Sequence, residues 1–149
     1  MNRKSKILIR AAEEKDLPSI HILLSELGYD SVDADLLKET WKQIISSKKM
    51  GIVVAEIESK IAGYLAYSFK PQLRLCGLSM EIDELSISEI FRGSGIGTSL
   101  INEAKNIAKS NQAKRIILST NRDRESYKRS FYTKNGFQEK NSAWFNMDL

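Results

Sequence analysis

One stretch constrains this chain more than any other. The run Glu84-Leu85-Ser86-Ile87 leads through a short connection into Arg92-Gly93-Ser94-Gly95-Ile96-Gly97, and a long amphipathic helix follows at once. Glycines at alternate positions leave backbone N–H groups uncovered by side chains. The helix that opens there adds unpaired N–H groups and the positive end of its dipole. A strand, a glycine turn and a helix in this order suit a bound phosphate or pyrophosphate. A nucleoside-triphosphate loop of the form G-x-x-x-x-G-K-[ST] is absent, and glycines at 93, 95 and 97 miss the dinucleotide spacing G-x-G-x-x-G. Taken alone, the turn is equally well structural punctuation.

The rest of the chain reads as one mixed domain over residues 1–149. Ile7–Ala11 is a first strand. Asp16 offers an N-cap, with Pro18 in the first turn, Ile20, Leu23, Leu24 and Leu27 on one stripe, and Gly28 closing the helix. A second helix runs over Ala34–Ser47 with Leu37, Trp41, Ile44 and Ile45 on its apolar face. Gly51–Ile57 and Ile61–Phe69 form a hairpin about Glu58-Ser59-Lys60. Pro71–Gly77 is a loop and Leu78–Ser88 a longer strand. Leu100, Ile101, Ala104, Ile107 and Ala108 face the core from the helix after the glycine turn, and Arg115–Thr120 is a short buried strand. The helix between these last two strands makes a parallel, right-handed crossover. A final helix over Glu125–Asn135 and an alternating strand over Ala143–Leu149 complete an α/β (α+β) fold: a mixed, mainly antiparallel sheet with helices on both faces.

Composition excludes several functions. With 42% apolar and 28% charged residues the chain is an ordinary globular protein, and no apolar run is long enough to cross a bilayer. Met1 to Lys6 is basic, but the apolar run behind it is too short for a signal peptide. One cysteine, Cys76, agrees with a reducing cytoplasm; without an evident base partner it reads as a packing residue. The net charge of +4 is spread among interleaved acids and bases, which argues against nucleic acid. A single His and a single Cys leave no metal site to expect, and His21 and Trp41 read as core or rim, as does Trp144.

A second motif turns the glycine loop into a signal. Phe131-Tyr132-Thr133-Lys134-Asn135-Gly136-Phe137 is a short helix ending on a C′ glycine. Together with Arg92-x-x-Gly95-x-Gly97 it resembles the GNAT superfamily of acyl-CoA-dependent N-acetyltransferases, in order, separation and intervening helix and strand. The segment Leu118-Ser119-Thr120-Asn121 is most similar to a small-amine branch that includes aminoalkylphosphonate N-acetyltransferases.

The resemblance implies acetyl-CoA as co-substrate, no metal, and direct transfer of acetyl to a primary amine of a small molecule. It implies backbone contacts to the diphosphate from Arg92, Gly93, Ser94, Gly95, Ile96, Gly97 and Thr98, and to the pantetheine arm from Leu85, Ser86 and Ile87, with Asn121 as a further contact. Tyr132 matches the family tyrosine that protonates the leaving thiolate; packing on Phe137 is the plainer reading. The base lies among the acids of the preceding strand, Glu81 first, then Glu84 and Asp83. Strict alternation puts Glu84 on the face opposite Glu81 and Asp83 unless a bulge intervenes. Arg124 and Lys128 depart from the family's Asn and Ala; they would meet the CoA 3′-phosphate or simply be solvated. Glu89 stands where relatives usually have Pro. The loops Gly28–Asp35 and Lys70–Ser79 are expected to shape the acceptor pocket. A CoA-binding module without turnover, and a protein N-terminal or lysine acetyltransferase, are the alternatives. Many family members are homodimers, and no interface is legible here.

Overall fold

Unbroken burial along the middles of two long strands builds the centre of the fold, described over residues 5–149 of a computed structural model. The strands are β1 (Leu8–Ala11), β2 (Met50–Ile57), β3 (Lys60–Gln72), β4 (Gly77–Ile87) and β5 (Arg115–Ile117), joined in sequence order into one sheet. The first three pairings are antiparallel and β4–β5 is parallel. The helices are α1 (Leu17–Glu26), α2 (Ala34–Ser46) and α3 (Ile96–Ser110), with two single turns, α4 (Glu125–Lys128) and α5 (Phe131–Lys134). Among the described residues, those from 5 to 118 form one compact unit and Ser119–Leu149 a second.

In the first unit, Ile52, Val54, Tyr64 and Ala66 pack with Ile20, Leu23 and Leu24 of α1 and Trp41 of α2. Their strand neighbours Val53, Ala55 and Leu65, with Met80 and Ile82, are buried on the opposite face, as are Leu100, Ile101 and Ala104 of α3. Period-two strands covered on both faces by helices are the layering expected of this patterning. β2 and β3 join through Glu58 and Ser59, both with positive φ (48° and 64°), a two-residue turn whose twist matches the strands.

Asp16 does not cap α1. A 3₁₀ turn over Glu14–Asp16 precedes the helix, and Asp16, 3% exposed, accepts two hydrogen bonds from Arg10 (2.7 and 2.9 Å) and one from the Glu13 N–H (2.7 Å). Arg10 also donates to Glu56 at 2.9 Å, so one guanidinium ties β1, β2 and the entry to α1 together. Burial pushes the Asp16 carboxyl upward, but Arg10 and the Glu13 N–H outweigh it and hold it below the ordinary range.

In the second unit the expected Glu125–Asn135 helix is broken. Ser130 adopts a left-handed conformation (φ 59°), which separates α4 from α5. Gly136 is the expected C′ glycine (φ 93°): its N–H bonds to Thr133 and that of Phe137 to Tyr132, a Schellman closure with Tyr132 packed on Phe137. Residues 143–149 form no strand, and Trp144, Phe145, Met147 and Leu149 are exposed. Alternation alone does not make a strand where no ladder is formed.

Candidate active site

The register between β3 and β4 breaks at one residue. Ala66 pairs with Glu84 and Tyr67 with Ile82, so Asp83 is an extra residue, a β-bulge. Glu81 lies opposite Ser68, on the α1–α2 face; beyond the bulge Glu84 lies opposite Ala66, on that same face. The bulge therefore gathers Glu81, Asp83 and Glu84 on one side of the sheet, where uninterrupted alternation would have split them.

Each acid has a different partner. Glu81 is ion-paired with Lys70. Asp83 accepts a hydrogen bond from Ser68 (3.2 Å) and Glu84 one from the buried Tyr64 hydroxyl (2.8 Å). Burial, with some repulsion from Glu81 and Glu84, raises the Asp83 carboxyl above the ordinary range although Ser68 and Lys70 oppose it. Burial and the Glu84 charge push the Tyr64 phenol far up, so it stays a donor.

Asp83 and Glu84 line a cavity of about 380 Å³ whose other walls include Leu37, Trp41 and Ile44 of α2, and Ile20 of α1. Of the loops expected to shape an acceptor pocket, Gly28–Asp35 contributes nothing to its lining and Lys70–Ser79 only Lys70. The residues missed were Tyr64, Ser68 and the apolar faces of α1 and α2. Those faces carry the helical period of a core, and nothing in it distinguishes a cavity wall from core. His21 bonds the Val32 carbonyl at 2.9 Å, a rim contact rather than a catalytic one. Cys76, expected to pack, is exposed, held in a left-handed turn (φ 47°) at the end of a 3₁₀ segment.

Beyond Glu81, β4 runs on to Ile87 while β5 pairs with it only at Ser79, Met80 and Glu81. The β5-side edge of β4 at Leu85, Ser86 and Ile87 is thus outside the parallel ladder. Tight packing fixes this end on β3: a Cβ at Gly63 would stand 2.7 Å from the Ser86 carbonyl oxygen and 2.8 Å from Ile87. The Ser86 hydroxyl turns inward to the Leu23 carbonyl. Next comes the glycine loop. Gly93 and Gly95 have φ of +79° and +85°, and a Cβ on either would meet no atom within 4 Å. The helix ladder closes first at Ser99 N–H to Gly95 (3.0 Å), which leaves the N–H groups of Ile96, Gly97 and Thr98 without an intrahelical acceptor. The Ser94 hydroxyl turns back to the Phe91 carbonyl, and the Arg92 side chain folds onto the Ile87 carbonyl (3.3 Å). The Glu89 N–H is held by Glu26 at 3.0 Å. Open space before backbone donors, at the positive end of a helix, fits a diphosphate.

In the second unit Tyr132 sits edge-on between Phe131 (5.0 Å) and Phe137 (6.2 Å). Burial raises its phenol above the ordinary range, while the hydroxyls of Thr120 and Ser126 pull the other way. Asn121 accepts the Asp123 N–H at 2.8 Å. Lys128 pairs with Glu125 at 3.5 Å, and Arg122 with Glu139 at 2.8 Å, so much of this segment's charge is locally answered.

A model of the Acetyltransferase (GNAT) family matches residues 17–137. The chain belongs to this family. As a GNAT protein it is an acyltransferase of the N-acetyltransferase type, and the family implies acetyl-CoA binding. Among solved structures, the chain is similar to a transcriptional regulator from Bacillus halodurans C-125, at 26% identity and a TM-score of 0.88, over 97% of this chain and 100% of that one. Glucosamine-6-phosphate N-acetyltransferase from Arabidopsis thaliana matches at 25% identity and 0.82, over 95% and 98%. The aminoglycoside N-acetyltransferase AAC(6')-Iy, solved with CoA, shares the fold at 15% identity and 0.84, over 99% and 98%. No curated protein sequence matches the chain. No helix among the described residues is long and apolar enough to cross a membrane.

Proposed function

We propose that this GNAT protein moves acetyl from acetyl-CoA to the primary amine of a small molecule, by direct attack and without a covalent enzyme intermediate. The observation that carries the reading is the bulge at Asp83, which brings to one cavity two carboxylates of the strand that leads into the glycine loop. The chain acts as a single N-acetyltransferase domain over residues 1–149. The reducing cytoplasm suits its one cysteine.

Acetyl-CoA supplies an acyl group activated as a thioester. The N–H groups from Arg92 to Thr98 hold its diphosphate, and the backbone of Leu85, Ser86 and Ile87 holds the pantetheine arm, with Asn121 a further contact. An alkyl ammonium, with a pKa near ~10.4, is not a nucleophile until it loses a proton. Glu81, ranked first on the family's pattern, is engaged by Lys70 and does not line the cavity, which favours a supporting role. Asp83 is the better proton acceptor: it faces the cavity, and its raised pKa makes it a stronger base than an ordinary aspartate. Glu84, held by Tyr64, orients the ammonium. Tyr132 is the acid. Its phenol is protonated at neutral pH, and since a phenol is weaker than a thiol (~10 against ~8.5) it acts first as a hydrogen-bond donor to the departing thiolate.

The test is release of free thiol from acetyl-CoA across a panel of small primary amines, beside CoA binding by calorimetry. Amine-dependent thiol release is expected. CoA binding with no release for any amine would point instead to a module that holds CoA without turnover.

A further inference from the structure

We propose that the acceptor is an amphiphilic monoamine: one primary ammonium on a short chain that carries an apolar, ring-sized body. The inference rests on the reading of the cavity as the acceptor site and adds to it the class of molecule.

The cavity is chemically two-sided. Its carboxylates, Asp83 and Glu84, both come from β4. The wall supplied by the helices is Leu17, Ile20, Leu24, Leu37, Trp41 and Ile44, with Thr40 as its one polar side chain and no acid. A polyamine or an aminoglycoside would bring further cations against that wall, where each would lose water without gaining a partner. A phosphorylated or phosphonylated amine fares no better. Its anion would need a cation, and the one lining the cavity, Lys70, is already paired with Glu81 and stands near Asp83. An apolar body meets none of these penalties and gains from leaving water. Space agrees: an apolar cavity of roughly 150 Å³ takes a benzene ring. The ≈ 380 Å³ here leaves room for a ring and the chain that brings its ammonium to β4.

The experiment compares kcat/KM for n-alkylamines of increasing length and for 2-phenylethylamine, with spermidine, an aminoglycoside and glucosamine 6-phosphate as hydrophilic rivals. Calorimetry measures amine binding to the CoA-loaded protein. Each added methylene should raise kcat/KM about fourfold until the cavity fills, and 2-phenylethylamine should exceed every hydrophilic rival by at least about tenfold. Ile44→Asn should erode the gain per methylene while CoA binding persists. Equal or better turnover of a polyamine or phosphorylated amine would overturn the inference yet leave the acetyltransferase reading standing. So would CoA binding with neither binding nor turnover of the apolar amines. Failure to bind CoA at all would instead remove the reading on which the inference rests.

Discussion

The Tyr64 hydroxyl donates a 2.8 Å hydrogen bond to Glu84 from a ring only 1% exposed, so the exposed carboxylate beside the bulge is held by a side chain fixed in the core. Removing a hydrogen bond to a charged group costs about 1.5–3 kcal/mol. Tyr64→Phe should lose stability of that order in urea unfolding and raise KM for the amine, since Glu84 is then free to turn. Unchanged stability and KM would show that the anchor does nothing.

Asp83 should reveal itself through pH. Its pKa is raised in the folded protein, so between the ordinary aspartate value and the folded value the native state binds more protons than the unfolded chain. Stability attributable to this group therefore falls as pH rises through that window. Asp83→Asn should be more stable than wild type at neutral pH, with the advantage vanishing below pH ~3.9. Its kcat/KM should drop roughly 100-fold or more, and the acidic limb of the pH profile should move. The same change made at Glu81 should cost far less.

Tyr132→Phe isolates the acid. Turnover should fall by roughly 100-fold while the CoA dissociation constant stays within about twofold, because the phenyl ring can keep the place between Phe131 and Phe137. Wild-type turnover would return Tyr132 to a packing role.

The Arg10–Asp16 pair carries stability rather than catalysis. Removing one partner of a buried pair costs about 3–5 kcal/mol, and Asp16→Ala should approach that in chemical denaturation because Arg10 loses two of its bonds. The Asp16 pKa is depressed, so its contribution is present above the ordinary aspartate value and is lost as pH falls through the lower, folded value. The difference between wild type and Asp16→Ala should narrow below pH ~3.9.

The parts of the fold that repeat a period were legible in the sequence. The β2–β3 hairpin, the α1–α2 faces and the strand–glycine–helix join at Arg92–Thr98 all follow from alternation, helical spacing and glycine, as does the Gly136 stop. What broke a period was not legible. The bulge adds one residue at Asp83, and neither composition nor spacing marks which acid is the extra one. Ser130 breaks the helix by taking a left-handed conformation, which a non-glycine residue type does not announce. Asp16 has the right residue type for a cap, yet its carboxylate is claimed by Arg10 from another strand, a contact no local rule contains. The cavity was hidden for a related reason: Trp41 and Ile44 sit at helical spacing whether they meet a ligand or a neighbouring side chain.

A crystal structure of the protein with bound CoA tests the central claim most directly. The diphosphate oxygens are expected within hydrogen-bonding distance of the N–H groups between Gly93 and Thr98, with the pantetheine arm along β4 at Leu85–Ile87. A diphosphate seated elsewhere, with the amides ahead of α3 left to solvent, would contradict it.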